Sequence, residues 1–103
     1  MTDNRQRVFA PVHPGELLRE DFIGPMGITP YRLATDIGVR PPRIYEILHG
    51  ERSVSADTAL RLSRYFGMSE NYWMNAQVHY DLEVEKDKAL ERIESEVKPL
   101  ATA

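Results

Sequence analysis

The chain has 103 residues, of which 42% are hydrophobic and none is cysteine, so the sequence predicts one globular domain without disulfides or thiolate metal sites. Its formal net charge of −3 differs from the strongly basic balance that is typical of general nucleic-acid binders. The charge is uneven, because residues 1–66 carry nine arginines against eight acidic residues, whereas residues 67–103 carry four basic against eight acidic residues. No signal peptide or membrane-spanning segment is visible, and we therefore expect a cytoplasmic protein.

An N-terminal arm over residues 1–12 is the first predicted segment, and a helix over about 13–23 follows it. Pro14 suits the first position of a helix, because its missing N–H would have no partner there in any case. The dipeptide Gly24-Pro25 is expected to end this helix, since both residues disfavour its continuation.

Two short helices are predicted next, over about 29–37 and 41–49. Gly38 suits the left-handed conformation that often ends a helix, and it opens a turn of three or four residues. In the second of these helices Ile44 and Ile47 form an inward face, while the arginine-bearing side faces outward. This is the layout of a DNA-binding helix-turn-helix, whose second helix enters the major groove.

Two further helices complete the predicted fold, over about 55–66 and from Ser69 to about 97. Three aromatic residues and a methionine cluster near the start of the last helix at helical spacing; they are Tyr72, Trp73, Tyr80 and Met74. This spacing favours packing in a core or between subunits over a ligand site. No segment reads as a convincing strand, so the sequence predicts an all-α protein of five helices.

Several motifs are specific when they occur together in one chain. In chain order they are His13-Pro14-Gly15-Glu16, Leu33-Ala34, Gly38-Val39, Arg43-Ile44, Asp57-Thr58-Ala59-Leu60-Arg61-Leu62, Tyr65-Phe66-Gly67, Tyr72-Trp73-Met74-Asn75 and Tyr80-Asp81-Leu82. Over about residues 11–82 this combination resembles the HigA/VapI antitoxins, which belong to the Xre/Cro-like helix-turn-helix family.

The resemblance implies a five-helix Cro/lambda-repressor-like domain over residues 13–82, with a charged C-terminal helical extension and tail over 83–103. It further implies a homodimer that represses its own operon by binding a palindromic operator in double-stranded DNA. The partner that it implies is a RelE-like, mRNA-cleaving toxin, which the antitoxin neutralises. Neither an enzymatic activity nor a cofactor, a metal site or a membrane partner is implied.

The residues that contact DNA in this family are carried over position by position. On and just before the implied recognition helix, at about 41–49, they are Arg40, Pro42, Arg43, Tyr45 and Glu46. Backbone contacts are implied for the preceding helix and the following loop, at Thr29, Tyr31, Arg32 and Arg52. The aromatic residues that we expect at the dimer interface are Tyr72, Trp73 and Tyr80.

One departure from the family pattern concerns the start of the recognition helix, which reads Arg40-Pro41-Pro42 where Ser, Thr, Asn or Gln is usual. Prolines lack an N–H that could hold a phosphate, although a proline ring can pack on a thymine methyl group. Glu46 either accepts a hydrogen bond from cytosine or pairs with Arg43 three residues earlier. Tyr45 either packs on a sugar or methyl group or covers its own helix.

Other functions stay open at the level of the sequence. A stand-alone Cro-like regulator without a toxin is the first alternative, and a protein-interaction module that no longer binds DNA is the second. The acidic stretch over 81–96 is either a solvated helix face or a docking surface for a basic toxin or a second subunit. His13, His49 and His79 are not spaced like metal ligands, and no catalytic motif is present, so we expect neither a metal site nor an enzyme.

Overall fold

The computed structural model describes residues 10–101, and every regular element in that range is a helix. Five helices follow one another in the predicted order, which confirms the all-α prediction. The predicted arm over 1–12 lies outside the described residues except for 10–12, which form no helix. The helices are α1, composed of Pro14–Leu17, the π-helical Leu18–Ile23 and Gly24–Met26, then α2 (Pro30–Ile37), α3 (Pro41–Leu48), α4 (Ala56–Phe66) and α5 (Asn71–Glu96).

Helix α1 is longer than predicted, because Gly24-Pro25 does not end it. The helix continues through Met26 and ends at Gly27, whose φ of 67° is left-handed. In the turn before Pro25 the Gly24 N–H donates to the Arg19 carbonyl oxygen, five residues back, instead of the usual four. A proline inside a regular α-helix clashes with the carbonyl four residues earlier, and the wider π-helical turn relieves that clash.

The core forms where all five helices meet, and a single tryptophan stands at its centre. The ring of Trp73 lies 5.0 Å from the rings of both Phe22 and Tyr72, and Phe22 also lies 4.9 Å from Phe66 of α4. Burial of one large apolar side chain stabilises a fold by about 1.5–3 kcal/mol, so this cluster holds α1, α4 and α5 together. The core residues with no exposed surface are Leu18, Leu33, Ala34, Ile44, Ile47, Leu62 and Trp73.

Helix α5 is the longest element, and its 26 residues span about 39 Å. Near its start, Gln77 is buried, and its side-chain oxygen accepts a hydrogen bond from the Val54 N–H at 2.8 Å. The helix continues without a break past the predicted boundary between 82 and 83, and that division of the chain therefore stays a prediction. Apolar side chains on its outer side remain exposed; they are Val78, Leu82 and Ile93. Within residues 10–101, no helix combines the length and the hydropathy that crossing a bilayer requires.

Candidate nucleic-acid interface

Helices α2 and α3 form a helix-turn-helix in which α2 is held at both ends. The Thr29 hydroxyl accepts a hydrogen bond from the Arg32 N–H at 3.1 Å and caps the start of α2. At the other end Gly38 has a φ of 76°, a conformation that side chains other than glycine rarely adopt. The Ile37 carbonyl oxygen accepts a hydrogen bond from Arg61 Nη1 of α4 at 2.8 Å. The turn is thereby fixed to a third helix.

Helix α3 turns its isoleucine side into the core and its other side to solvent. Ile44 and Ile47 have no exposed surface, which confirms the predicted orientation. A helix presented in this way fits the major groove, which is about 12 Å wide. The outward residues of α3 that were predicted to contact DNA are Pro42 and Tyr45, both exposed, and Arg43 and Glu46, both half-buried. The predicted contact residues outside α3 are all exposed; they are Thr29, Tyr31, Arg32, Arg40 and Arg52.

Arg43 of α3 reaches the first turn of α4. Its Nη1 lies 3.3 Å from Asp57 Oδ2 and 3.4 Å from Thr58 Oγ1, and the same Asp57 oxygen accepts a hydrogen bond from Arg61 Nε at 2.8 Å. The Arg61 hydrogen bond is the main cause that lowers the pKa of Asp57, and Arg43 adds to it, so this carboxylate is charged at neutral pH. Since Arg43 is directed to α4, the pair with Glu46 that the spacing allowed does not form.

Two further arginines of the predicted interface are also paired with carboxylates of the same chain. Arg52 Nε lies 2.7 Å from Glu46 Oε1, so the loop arginine rather than Arg43 is the partner of Glu46. Arg32 Nε lies 3.3 Å from Asp36 Oδ2, and the Tyr65 hydroxyl of α4 donates to the same oxygen at 2.6 Å. That hydrogen bond is the main cause that raises the pKa of Tyr65. Sequence spacing indicated none of the pairs that join α4 to another helix, because their partners lie far apart along the chain.

A second set of contacts holds the C-terminal end of α3, and its residues were not predicted to have a role there. His13 Nδ1 accepts a hydrogen bond from the Gly15 N–H at 2.9 Å and caps α1. Gly15 lies so close to α3 that a Cβ on it would be 1.9 Å from the Ile47 carbonyl oxygen. Arg19 Nη1 donates to the Leu48 carbonyl oxygen at 2.8 Å. The His-Pro-Gly-Glu motif, which the sequence showed only as a mark of resemblance, therefore positions α3.

Lowering the pH below about 6.5, the ordinary pKa of histidine, is expected to destabilise the fold through His13. Burial is the main cause that lowers the pKa of His13, while Asp81 and Glu16 oppose it. The folded state therefore keeps the imidazole neutral, as its hydrogen bond from Gly15 requires, whereas the unfolded chain takes up the proton. Stability is present above the unfolded-state pKa and is lost as the pH falls below it.

Urea unfolding at a series of pH values measures this effect. The variant His13→Asn keeps a good N-cap acceptor but does not titrate, so its unfolding free energy should fall less between about pH 7.5 and about pH 5.5 than that of the wild type. His79→Asn, the same replacement at an exposed position of α5, serves as the matched control. Identical profiles for His13→Asn and the wild type would contradict the prediction.

The three aromatic residues predicted at the dimer interface differ in exposure. Trp73 has no exposed surface, because the side of α5 that carries it packs on α1 and α4, so we assign it to the core instead. Tyr72 is half-buried against the ring of Trp73. Tyr80 is half-buried as well, and its ring lies 4.9 Å from the imidazole of His13. The two tyrosines keep surface that a partner can contact, and their interface role stays a prediction.

The described residues form no cluster that resembles a metal site. No group of three or more acidic or histidine side chains in this part of the chain could hold a metal ion. Trp73 Nε1 is a buried side-chain nitrogen that has no hydrogen-bond partner within residues 10–101.

Comparisons with known proteins agree with this geometry. A family model described as helix-turn-helix matches residues 18–73. Virulence-associated protein I of Dichelobacter nodosus is 50% identical over 78 residues, which are 75% of this chain and 72% of that protein. Antitoxin HigA-1 of Vibrio cholerae is 33% identical over 90 residues, 87% of this chain and 84% of that protein. The solved structure of Pseudomonas aeruginosa antitoxin HigA with the higBA promoter superposes with a TM-score of 0.86 at 41% identity, over 88% of this chain and 99% of that one.

Proposed function

The chain belongs to the Xre/Cro-like helix-turn-helix family of the HigA and VapI antitoxins, and from this premise we propose that it is a DNA-binding antitoxin that represses its own operon. The orientation of α3 is the observation that carries the proposal. Ile44 and Ile47 anchor the helix with no exposed surface, while Pro42 and Tyr45 project into solvent. The similar HigA antitoxin of known structure was solved with promoter DNA, which supports the same use of this surface.

In the proposed complex α3 lies in the major groove. Arg43 reads a guanine edge or holds a phosphate beside it, and the ring of Pro42 packs on a thymine methyl group. Thr29, Tyr31 and Arg32 contact the sugar-phosphate backbone from α2. Arg40 and Arg52 hold phosphates before and after α3, and Tyr45 and Glu46 complete the surface that faces the bases. Phosphate contacts would supply most of the affinity, and base contacts the sequence preference.

Fluorescence anisotropy with two labelled duplexes tests this proposal. One duplex carries the promoter of the chain's own gene, and the other has the same composition in scrambled order. We expect tighter binding to the promoter, with an affinity that falls steeply as salt is added, because each phosphate contact releases a counterion. Equal affinity for both duplexes would contradict sequence-specific repression. Absence of binding to either would favour a protein-interaction module.

We further propose a homodimer that binds a palindrome whose half-sites lie about 34–36 Å apart, one turn of DNA. The outer side of α5 supplies the proposed contact, since it exposes apolar side chains that solvent does not favour. These side chains are Val78, Leu82 and Ile93. The half-buried Tyr72 and Tyr80 lie nearer the core side of the same helix and are proposed to add the surface that they keep. Light scattering on the full chain measures its mass in solution, and a monomer at concentrations that saturate the promoter would contradict this arrangement.

The proposed protein partner is a RelE-like, mRNA-cleaving toxin, which the chain neutralises in the cytoplasm. The antitoxin names of its relatives support this part of the proposal. We assign DNA binding to residues 13–82, and we treat 83–103 as a helical extension available to a protein partner. Co-expression with the product of the adjacent gene, followed by affinity purification, provides the test. Failure of a small basic neighbour to co-purify would favour a stand-alone regulator.

A further inference from the structure

The predicted DNA-binding surface is neutralised by carboxylates of its own chain. Arg32, Arg43 and Arg52 each pair with one carboxylate, at 3.3, 3.3 and 2.7 Å. We propose that these carboxylates, Asp36, Glu46 and Asp57, determine specificity by repelling phosphates that are not correctly placed; we call them the carboxylate filter. This inference rests on the proposed DNA-binding function and deepens it.

Each pair is open enough to exchange partners. The exposed fractions of the arginine side chains are 65% for Arg32, 36% for Arg43 and 50% for Arg52. Ion pairs that are exposed to this degree are weak, because water and salt screen them and ordering the side chains costs entropy. A correctly placed phosphate or guanine can therefore replace the carboxylate or share the arginine with it.

Two carboxylates of the filter are held in place by hydrogen bonds from residues of α4. These carboxylates therefore stay at the surface when DNA approaches. Asp57 accepts a hydrogen bond from Arg61 at 2.8 Å, and Arg61 is itself fixed to the Ile37 carbonyl oxygen. Asp36 accepts from the Tyr65 hydroxyl at 2.6 Å. A carboxylate that stays at the surface repels any phosphate nearby. Only a phosphate or base that forms its own contact with the arginine offsets this repulsion.

The pair between Arg43 and Asp57 also orients the guanidinium group. Nη1 is directed at Asp57 and Thr58, which leaves other N–H donors of the planar fork for DNA. In the complex with promoter DNA, Asp57 keeps its contact with Arg43 and orients the guanidinium toward the base. In a complex with DNA of unrelated sequence, Asp57 only competes with the phosphates for Arg43. Removal of its charge should therefore improve random binding more than promoter binding, and the ratio between them should fall.

Arg40 differs from the other interface arginines, because no carboxylate partner for it is found within residues 10–101. It precedes α3, and its backbone is extended at the N-cap position. Arg40 is therefore suited to the first, sequence-independent contact with a phosphate. The three paired arginines then bind DNA only where a correctly placed phosphate or base replaces their carboxylates.

The test compares charge-neutral variants on the promoter duplex and the scrambled duplex. We expect Asp57→Asn to tighten binding to the scrambled duplex about threefold, because one nearby charge in screened water changes affinity by roughly that factor. Asp36→Asn/Glu46→Gln/Asp57→Asn removes three such charges and should tighten it by up to about 30-fold. The promoter should gain less than the scrambled duplex. For each arginine released, the salt slope on the scrambled duplex should steepen by up to about 0.9.

A matched control carries the same charge change outside the helix-turn-helix. The control variant is Glu20→Gln/Glu70→Gln/Glu96→Gln, and circular dichroism verifies that both triple variants are folded. A larger gain on the scrambled duplex for the filter variant than for the control supports the proposal. Equal gains in affinity for the filter variant and the control, or equal gains on the two duplexes, would overturn the proposal. If the triple variant does not fold, the single variant Asp57→Asn is compared in the same way.

The same measurements separate this proposal from the proposed function. If the wild type does not prefer the promoter but the filter variant gains affinity for the scrambled duplex beyond the control, the repressor function and the specificity role both fail, and only a general repulsion of phosphates by the carboxylates is supported. If the wild type prefers the promoter and the filter variant behaves like the control, the function stands and the filter fails.

Discussion

Replacement of Gly15 by alanine is expected to destabilise the protein by about 3 kcal/mol or more, since backbone atoms would have to move to make room. The added Cβ would lie 1.9 Å from the Ile47 carbonyl oxygen and 2.8 Å from the Ile47 carbonyl carbon. Both are backbone atoms of α3, so no side chain can rotate out of the way. Helix α3 would have to move away from α1, which would also disturb the hydrogen bond from Arg19 to Leu48.

The predicted loss of stability is opposite to what helix propensity alone would suggest. Alanine is the better helix former, and at an unobstructed helical site the same change would stabilise by about 0.5–1 kcal/mol. The matched control is Gly67→Ala, where no atom lies within 4 Å but φ is +69°. It should cost only about 1–2 kcal/mol through backbone strain. Urea unfolding of both variants measures the difference, and a stabilised or neutral Gly15→Ala would show that α1 and α3 do not approach as described.

Replacement of Arg43 by alanine is expected to weaken promoter binding by about 2 kcal/mol, or roughly 30-fold, and to flatten the sequence preference. Arg43 lies on the outward side of the helix whose isoleucines are buried, and its guanidinium is held ready by Asp57 and Thr58. Since its ion pair is exposed, the same change should alter the stability of the fold by no more than about 1 kcal/mol. Lost binding without lost stability would identify a contact residue.

Arg92→Ala is the control for that experiment, because it removes an equally charged side chain near the end of α5, where Arg92 lies 3.9 Å from Glu96. Anisotropy titrations with promoter and scrambled duplexes should show little change for it. Unchanged promoter affinity in Arg43→Ala would rule out the proposed role of Arg43. A drop in promoter affinity that is matched by the scrambled duplex would make Arg43 a phosphate contact rather than a base reader.

The five helices and the buried side of α3 could be predicted from the sequence, whereas the core position of Trp73 could not. Gly38 indicated the end of α2, because a glycine cap acts within a few residues of itself. Ile44 and Ile47 indicated the buried side of α3 because helical periodicity is a local property. The helix-turn-helix followed from these signals, and the resemblance to HigA and VapI antitoxins then supplied the expected DNA contacts.

Contacts between side chains of different helices could not be predicted from the sequence. Arg19 and Leu48 are 29 residues apart, and Arg61 and Ile37 are 24 apart, so nothing in either neighbourhood predicts the other. Spacing within α3 allowed Glu46 to pair with Arg43, but the approach of α4 offered Arg43 a different partner. The physical reason is the same in each case: caps and periodicity act over one or two turns, whereas ion pairs and close backbone contacts depend on how whole helices pack.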